Sequence, residues 1–147
     1  MKNMRTKQTL MTMVCCFILF SCKKDKDNSP ACGISMDGIA GSYKVTKIQY
    51  KAPDSEDVLD FMEFMDECQK DDITTLYSNG KYKHDDGGLV CEPDETDEGF
   101  WVLKDQTILS DGRINGTIEN YNCKTLVYYM KDVLVDGDKM TFTAERQ

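Results

Sequence analysis

Ile73-Thr74-Thr75-Leu76-Tyr77-Ser78-Asn79-Gly80-Lys81-Tyr82-Lys83-His84 reads as two short strands joined by a turn. Its flanks are rich in Thr, Tyr and branched aliphatic residues, which suit a pleated, half-buried surface. Asn79 and Gly80 tolerate the positive φ that a tight hairpin demands. The same rhythm runs outward in both directions. Residues 41–51 alternate, but their apolar parity switches between Val45 and Ile48, as in a long strand bent by a bulge. Downstream, Phe100-Trp101-Val102-Leu103 and Thr107-Ile108-Leu109 form the next pair, and strand-like segments follow at 113–121, 124–131 and 139–145. Asp111-Gly112 and Asp136-Gly137 mark two of the turns between them. Leu126, Tyr128 and Met130 share one face, as do Met140, Phe142 and Ala144. About eight such segments, each with one apolar and one polar face, predict an all-β domain. The expected architecture is an eight-stranded antiparallel up-and-down β-barrel around a single interior.

One segment breaks the β rhythm. Between Pro53 and Cys68, the residues Val58, Phe61, Met62 and Met65 recur at i, i+3, i+4 and i+7, with Asp54 or Ser55 as an N-cap. The spacing predicts one short amphipathic α-helix over residues 54–66, after the first strand. That helix either seals the barrel as core or forms a lid over a cavity mouth, since Met and Phe give a soft, adaptable apolar surface.

The amino terminus is of another kind. Lys2, Arg5 and Lys7 precede an apolar run at residues 10–20, which ends in Leu19-Phe20-Ser21-Cys22. A basic region, a short apolar region and a small residue are the parts of a secretory signal. At about eleven residues the run is too short to cross a bilayer core of roughly 30 Å as a helix. Leu, then a small residue, then Cys resembles the bacterial lipobox, in which the Cys becomes lipidated and is the mature N-terminus. Residues 1–21 are therefore expected to be a lipoprotein signal peptide, with Cys22 the lipidation site. Lys23-Lys24-Asp25-Lys26-Asp27-Asn28-Ser29-Pro30 has nothing apolar to bury, so residues 22–37 are expected to form a flexible tether ahead of a barrel domain at 38–147. The lysine and aspartate cluster after Cys22 resembles the surface-export signals of some Bacteroidetes lipoproteins. That resemblance implies a cell-envelope, outer-membrane location, with the membrane as a partner through the N-terminal lipid.

The chain carries 18 Lys and Arg against 26 Asp and Glu, a formal charge of −8. Loss of the signal would leave 126 residues with a formal charge near −11, room for one domain. Such a surface repels phosphate backbones, so no nucleic-acid partner is expected. Cys32, Cys68, Cys91 and Cys123 remain in the exported part. An even count outside the cytoplasm favours disulfides, and three connectivities are open to four cysteines. Cys68 lies just before one strand and Cys91 in the loop after its hairpin partner, which favours Cys68–Cys91 and leaves Cys32–Cys123.

Catalytic signatures are missing. There is no G-x-S-x-G, Gly-rich phosphate loop or H-E-x-x-H, and the single His84 sits beside Asp85 and Asp86, where an exposed loop position is expected. The acidic stretch Asp94-Glu95-Thr96-Asp97-Glu98-Gly99 with Asp105 superficially follows an EF-hand calcium loop. Its twelfth position should be a Glu opening a helix, whereas Phe100 to Leu103 read as a strand. No metal, no cofactor and no enzymatic activity are expected.

Taken in order, Gly41-Ser42-Tyr43, Asp66-Glu67-Cys68-Gln69-Lys70-Asp71-Asp72, Ser78-Asn79-Gly80-Lys81-Tyr82, Cys91 and Gly99-Phe100-Trp101-Val102-Leu103 resemble the bacterial lipocalin-like lipoproteins, over roughly residues 38–145. The resemblance implies a small exported barrel with an internal cavity for one lipophilic ligand. Lipocalins open their first strand with Gly-x-Trp. Here the third residue is Tyr43, whose hydroxyl needs a partner when buried. Tyr43, Phe61, Met62, Met65, Trp101, Tyr128 and Phe142 are the candidate ligand-binding residues, and the protein is expected to be a monomer. The alternative is a filled, disulfide-pinned barrel acting as a cell-surface protein- or glycan-interaction module, because inward aromatic side chains can nearly fill eight strands.

Replacing Cys22 by Ser is expected to abolish acyl labelling and membrane partitioning. The Cys15→Ser, Cys16→Ser double variant should leave both intact, as read by radiolabelled fatty-acid incorporation and detergent phase separation.

Overall fold

An eleven-residue strand, β1 (Gly41–Lys51), sets the frame of the computed structural model, which describes residues 32–147. The signal, Cys22 and the charged run after it lie outside the described residues. The other strands are β2 (Leu59–Asp60), β3 (Ile73–Leu76), β4 (Lys81–Asp85), β5 (Asp97–Lys104), β6 (Thr107–Ser110), β7 (Gly116–Tyr121), β8 (Thr125–Lys131) and β9 (Lys139–Arg146). From β3 to β9 each strand pairs with the next, and β9 returns to β1 from Tyr43↔Arg146 to Lys51↔Lys139. The result is all-β, a closed eight-stranded antiparallel barrel in which β2 is a two-residue addition to the edge of β1.

The local chemistry explains much of this. The register of β1 on β9 shifts between Val45 and Lys47, so Thr46 is the extra residue of a bulge. This is where the apolar parity of the sequence switches, and the extra residue turns both Val45 and Ile48 toward the interior. At the β3–β4 hairpin only Gly80 takes a positive φ, of 84°. Its N–H donates to Tyr77 O at 3.0 Å, while Asn79 contributes through its side chain, accepting from Lys81 N at 3.1 Å. Leu126↔Ala144, Tyr128↔Phe142 and Met130↔Met140 pair across β8 and β9, so the two apolar faces read in the sequence are one inner face. Part of the calcium-like spacing, residues 97–104, is β5 itself, not a loop.

The α-helix expected over residues 54–66 does not form. Leu59 and Asp60 instead pair with Tyr50 and Gln49 on the edge of β1, and 3-10 turns follow at Phe61–Phe64 and Glu67–Gln69. Asp54 takes a positive φ of 55°, Ser55 Oγ accepts from Asp57 N at 3.0 Å, and Asp60 caps the first turn through Met62 N at 3.0 Å. These local bonds compete with helix propagation, whose nucleus is costly. The unpaired edge of β1 past Lys44 offers the backbone a better partner. Val58, which the expected helix face would have buried, remains exposed, as does Phe64.

One end of the barrel is closed by a single helical turn, α1 (Met36–Ile39), capped by Ser35 Oγ. The Tyr43 hydroxyl finds its partner there, donating to Ile39 O at 2.6 Å. Tyr121 donates to Gly38 O at 2.5 Å, and Arg146 Nη2 donates to Gly38 O at 3.1 Å and to the Tyr43 hydroxyl at 3.2 Å. Ile39, Leu76, Tyr82, Trp101, Ile108 and Leu126 fill this half as a packed core. Cys32–Cys123, with Cα atoms 5.5 Å apart, ties the chain ahead of α1 to the β7–β8 turn. Residues 32–37, read in the sequence as tether, are thereby held to the barrel. Cys68–Cys91, with Cα atoms 5.2 Å apart, joins two loops at the opposite end. Both pairings agree with the sequence reading.

Loop-closure entropy depends on the residues enclosed, 91 for Cys32–Cys123 and 23 for Cys68–Cys91. The Cys32→Ser, Cys123→Ser double variant is expected to lose about 4 to 5 kcal/mol and the Cys68→Ser, Cys91→Ser variant about 3 kcal/mol, measured by urea unfolding.

Candidate functional site

The loops of residues 52–72, 86–96, 111–115 and 132–138 leave the barrel at the end away from α1. Between them and the Tyr43 ring lies a chamber of about 170 Å³. It has two unlike walls. Val45, Ile48, Ile114, Tyr128, Phe142 and Ala144 form the apolar one, with Met65 reaching in from the loop after β2. Gln69, Asp72, Thr74, His84, Glu95 and Arg113 form the polar one.

Its centre is His84. Thr74 and His84 are cross-strand partners in the β3–β4 hairpin, and Thr74 Oγ1 lies 2.9 Å from His84 Nδ1. On its other side the imidazole Nε2 is hydrogen-bonded to Asp72 Oδ2 at 3.1 Å. Both side chains are about nine-tenths buried. His84 is thus not an exposed loop residue as expected. It follows Tyr82 by two positions on β4, and period-two geometry sends both side chains inward. Burial pushes the Asp72 carboxyl up from its ordinary value and Asp86 adds to this, while the facing His84 pulls it down without cancelling the rise. Asp72 Oδ1 is buried without a hydrogen-bond partner among the described residues.

The rim is organised by carboxylates. Asp86 accepts from Cys91 N at 3.1 Å and Glu95 N at 2.8 Å, and Asp71 Oδ2 accepts from Leu89 N at 3.0 Å, folding the β4–β5 loop over the mouth. Arg113 donates through Nη1 to Glu95 Oε2 at 3.0 Å, through Nη2 to Glu95 O at 2.6 Å and through Nε to Asp97 Oδ2 at 3.3 Å. Burial pulls Arg113 down, but Glu95 and Asp97 outweigh it and hold the guanidinium above its ordinary value. Gln69 Nε2 reaches Glu95 Oε1 at 3.4 Å. Loops after β2, β4 and β6 are therefore joined across the opening.

Of the candidate ligand residues, Tyr43, Met65, Tyr128 and Phe142 line the chamber. Trp101 does not. It is fully buried near the α1 end, its indole N–H donating to Tyr77 O at 2.9 Å. Phe61 and Met62 lie outside the chamber lining, and Phe61 sits between Tyr50 and Phe64 with ring centroids 6.4 and 5.6 Å away. The polar wall escaped the sequence reading, although the parity of Tyr82 and His84 and the hairpin register were there to find it.

Hydroxyl, imidazole and carboxylate in this order also occur where a nucleophile is activated. Here β3 is paired on both sides, by β1 and β4, so its backbone N–H groups serve the ladders. The chamber sets apolar side chains beside polar groups held at fixed positions. Comparison with protein-family models, with curated proteins and with solved structures finds no match to this chain.

A carboxyl whose pKa rises on folding favours the folded state when protonated, and that stability is lost as pH rises through the raised pKa. Asp72→Asn is therefore expected to melt at a higher temperature than the parent at neutral pH. The gap should close as pH falls toward the ordinary carboxylate range, as followed by thermal melts at a series of pH values.

Proposed function

We propose that the chain is an exported, membrane-anchored lipoprotein whose lipocalin-like barrel holds one small, largely apolar ligand in the chamber. The observation that carries this reading is the chamber itself, about 170 Å³ between an apolar and a polar wall. Pockets for drug-sized ligands run at roughly 300 Å³ and above. An apolar cavity of about 150 Å³ accepts benzene. A ring-sized molecule fits, and a long acyl chain does not. Two disulfides support export to an oxidising compartment. The lipobox at Cys22 and the charged run behind it support a lipid anchor in the outer membrane, with the barrel as a monomer and no catalytic role.

A second reading, the surface-interaction module, is favoured by the outer face of β5 and β6. Val102 and Leu109 are register partners there, 51% and 45% exposed, with Phe100 on the same strand 63% exposed.

Ala144 lines the chamber and is fully buried. Ala144→Leu fills the space at a cost of roughly 1 to 3 kcal/mol in stability. In the ligand reading, benzene should shift the Tyr128 and Phe142 ring resonances of the parent in an NMR titration while leaving Trp101 unmoved, and should shift none of the three in Ala144→Leu. Unmoved Tyr128 and Phe142 rings in the parent would favour the surface reading.

A further inference from the structure

Tyr128 and Phe142 stack with ring centroids 5.0 Å apart and planes 8° from parallel. The stack fixes where the Tyr128 ring carries its hydroxyl. Tyr128 lines the chamber and is 4% exposed, yet its hydroxyl has no hydrogen-bond partner among the described residues, and burial alone displaces its pKa, upward. It stands as a protonated donor. Tyr43, equally buried, shows the contrast, for its hydroxyl is committed to Ile39 O. The Tyr128 oxygen is not among the fully buried unpartnered atoms, so it opens onto the chamber, where an acceptor can meet it.

The charges of the wall restrict what the acceptor is. Asp72 and Glu95 both line the chamber. Arg113 commits Nε, Nη1 and Nη2 to Asp97 and Glu95, and His84 Nε2 faces Asp72. Arg113, the one Lys or Arg of the described lining, is already matched by two carboxylates, Glu95 and Asp97, so a further anion in this space is costly. On the ligand-holding reading above, we infer that the occupant is an uncharged, ring-sized molecule whose carbonyl or hydroxyl oxygen or ring nitrogen accepts a hydrogen bond from Tyr128. A fatty acid or other carboxylate is the wrong chemistry for this wall.

The test uses three probes of similar size on the full chain at neutral pH: acetophenone, which carries an acceptor; ethylbenzene, which does not; and benzoate, which is anionic. Affinities are measured by NMR titration for the parent and for Tyr128→Phe. The expected result is that Tyr128→Phe weakens acetophenone by about three- to tenfold, the worth of one neutral hydrogen bond, and leaves ethylbenzene unchanged or tighter. Benzoate should not bind either protein. Acetophenone affinity untouched by Tyr128→Phe, or benzoate binding as tightly as acetophenone, would overturn the inference while ethylbenzene binding kept the ligand reading alive. No probe binding the parent would remove both. Should Tyr128→Phe fail to fold, the parent alone decides: the Tyr128 Cζ resonance is expected to move with acetophenone well beyond its response to ethylbenzene, and equal responses would refute the hydrogen bond.

Discussion

β1 has two unequal edges, and the rest of the structure follows from that inequality. On one edge β9 pairs with it from Tyr43 to Lys51 and closes the barrel. On the other, β3 covers only Gly41 to Lys44, and β2 only Gln49 and Tyr50. The second position in the barrel is thus one strand interrupted by residues 61–72. That excursion carries Met65, Gln69 and Asp72 to the chamber and Cys68 to its bridge with Cys91. The Thr46 bulge serves the same end by turning Val45 and Ile48 inward together.

Polar groups are buried at both ends of the barrel. Near α1, the hydroxyls of Tyr43 and Tyr121 and the Arg146 guanidinium are drawn onto the carbonyls of Gly38 to Ala40. Around them Ile39, Leu76, Trp101 and Ile108 pack with almost no exposed area, as a stability-bearing core does. At the far end, Asp72 keeps a raised pKa and, like Asp71, an oxygen without a partner among the described residues, while at the α1 end Arg146 Nε is likewise buried and unpartnered.

How the acidic surface fits with this follows from where its charges sit. Asp71, Asp86 and Asp138 accept backbone N–H groups and fold the loops at the open end. Burial pushes Asp138 up, but the N–H groups of Val133, Leu134 and Val135 outweigh it and hold the carboxyl below its ordinary value. These carboxylates act as loop organisers, which composition alone reads only as net charge. Glu95 and Asp97 hold Arg113 across the mouth in the same way.

Much of the barrel was legible because strand formation here rests on local rules. Period-two alternation, the Gly80 turn and the parity switch at Thr46 are properties of neighbouring residues, and they located β1, β3, β4, β8 and β9 to within a residue or two. The Cys68–Cys91 pairing was legible from the hairpin that brings its neighbourhoods together, and Cys32–Cys123 followed as the remaining pair. The helix at 54–66 was misread because its apolar spacing is also a local signal, and a non-local competitor, the open edge of β1, prevailed over it. Trp101 was assigned to the ligand wall because sequence shows that a side chain points inward without showing how deep it lies. The pairing of Asp72 with His84 across twelve residues, and the placing of Glu95 beside Arg113, exist only once the sheet has closed. Within the apolar strands sequence alone determined which residues face inward, as for Leu126, Tyr128, Phe142 and Ala144, because that depends on the chain's own period. Tertiary structure alone decided which of them meet, because that depends on the shear and closure of the whole barrel.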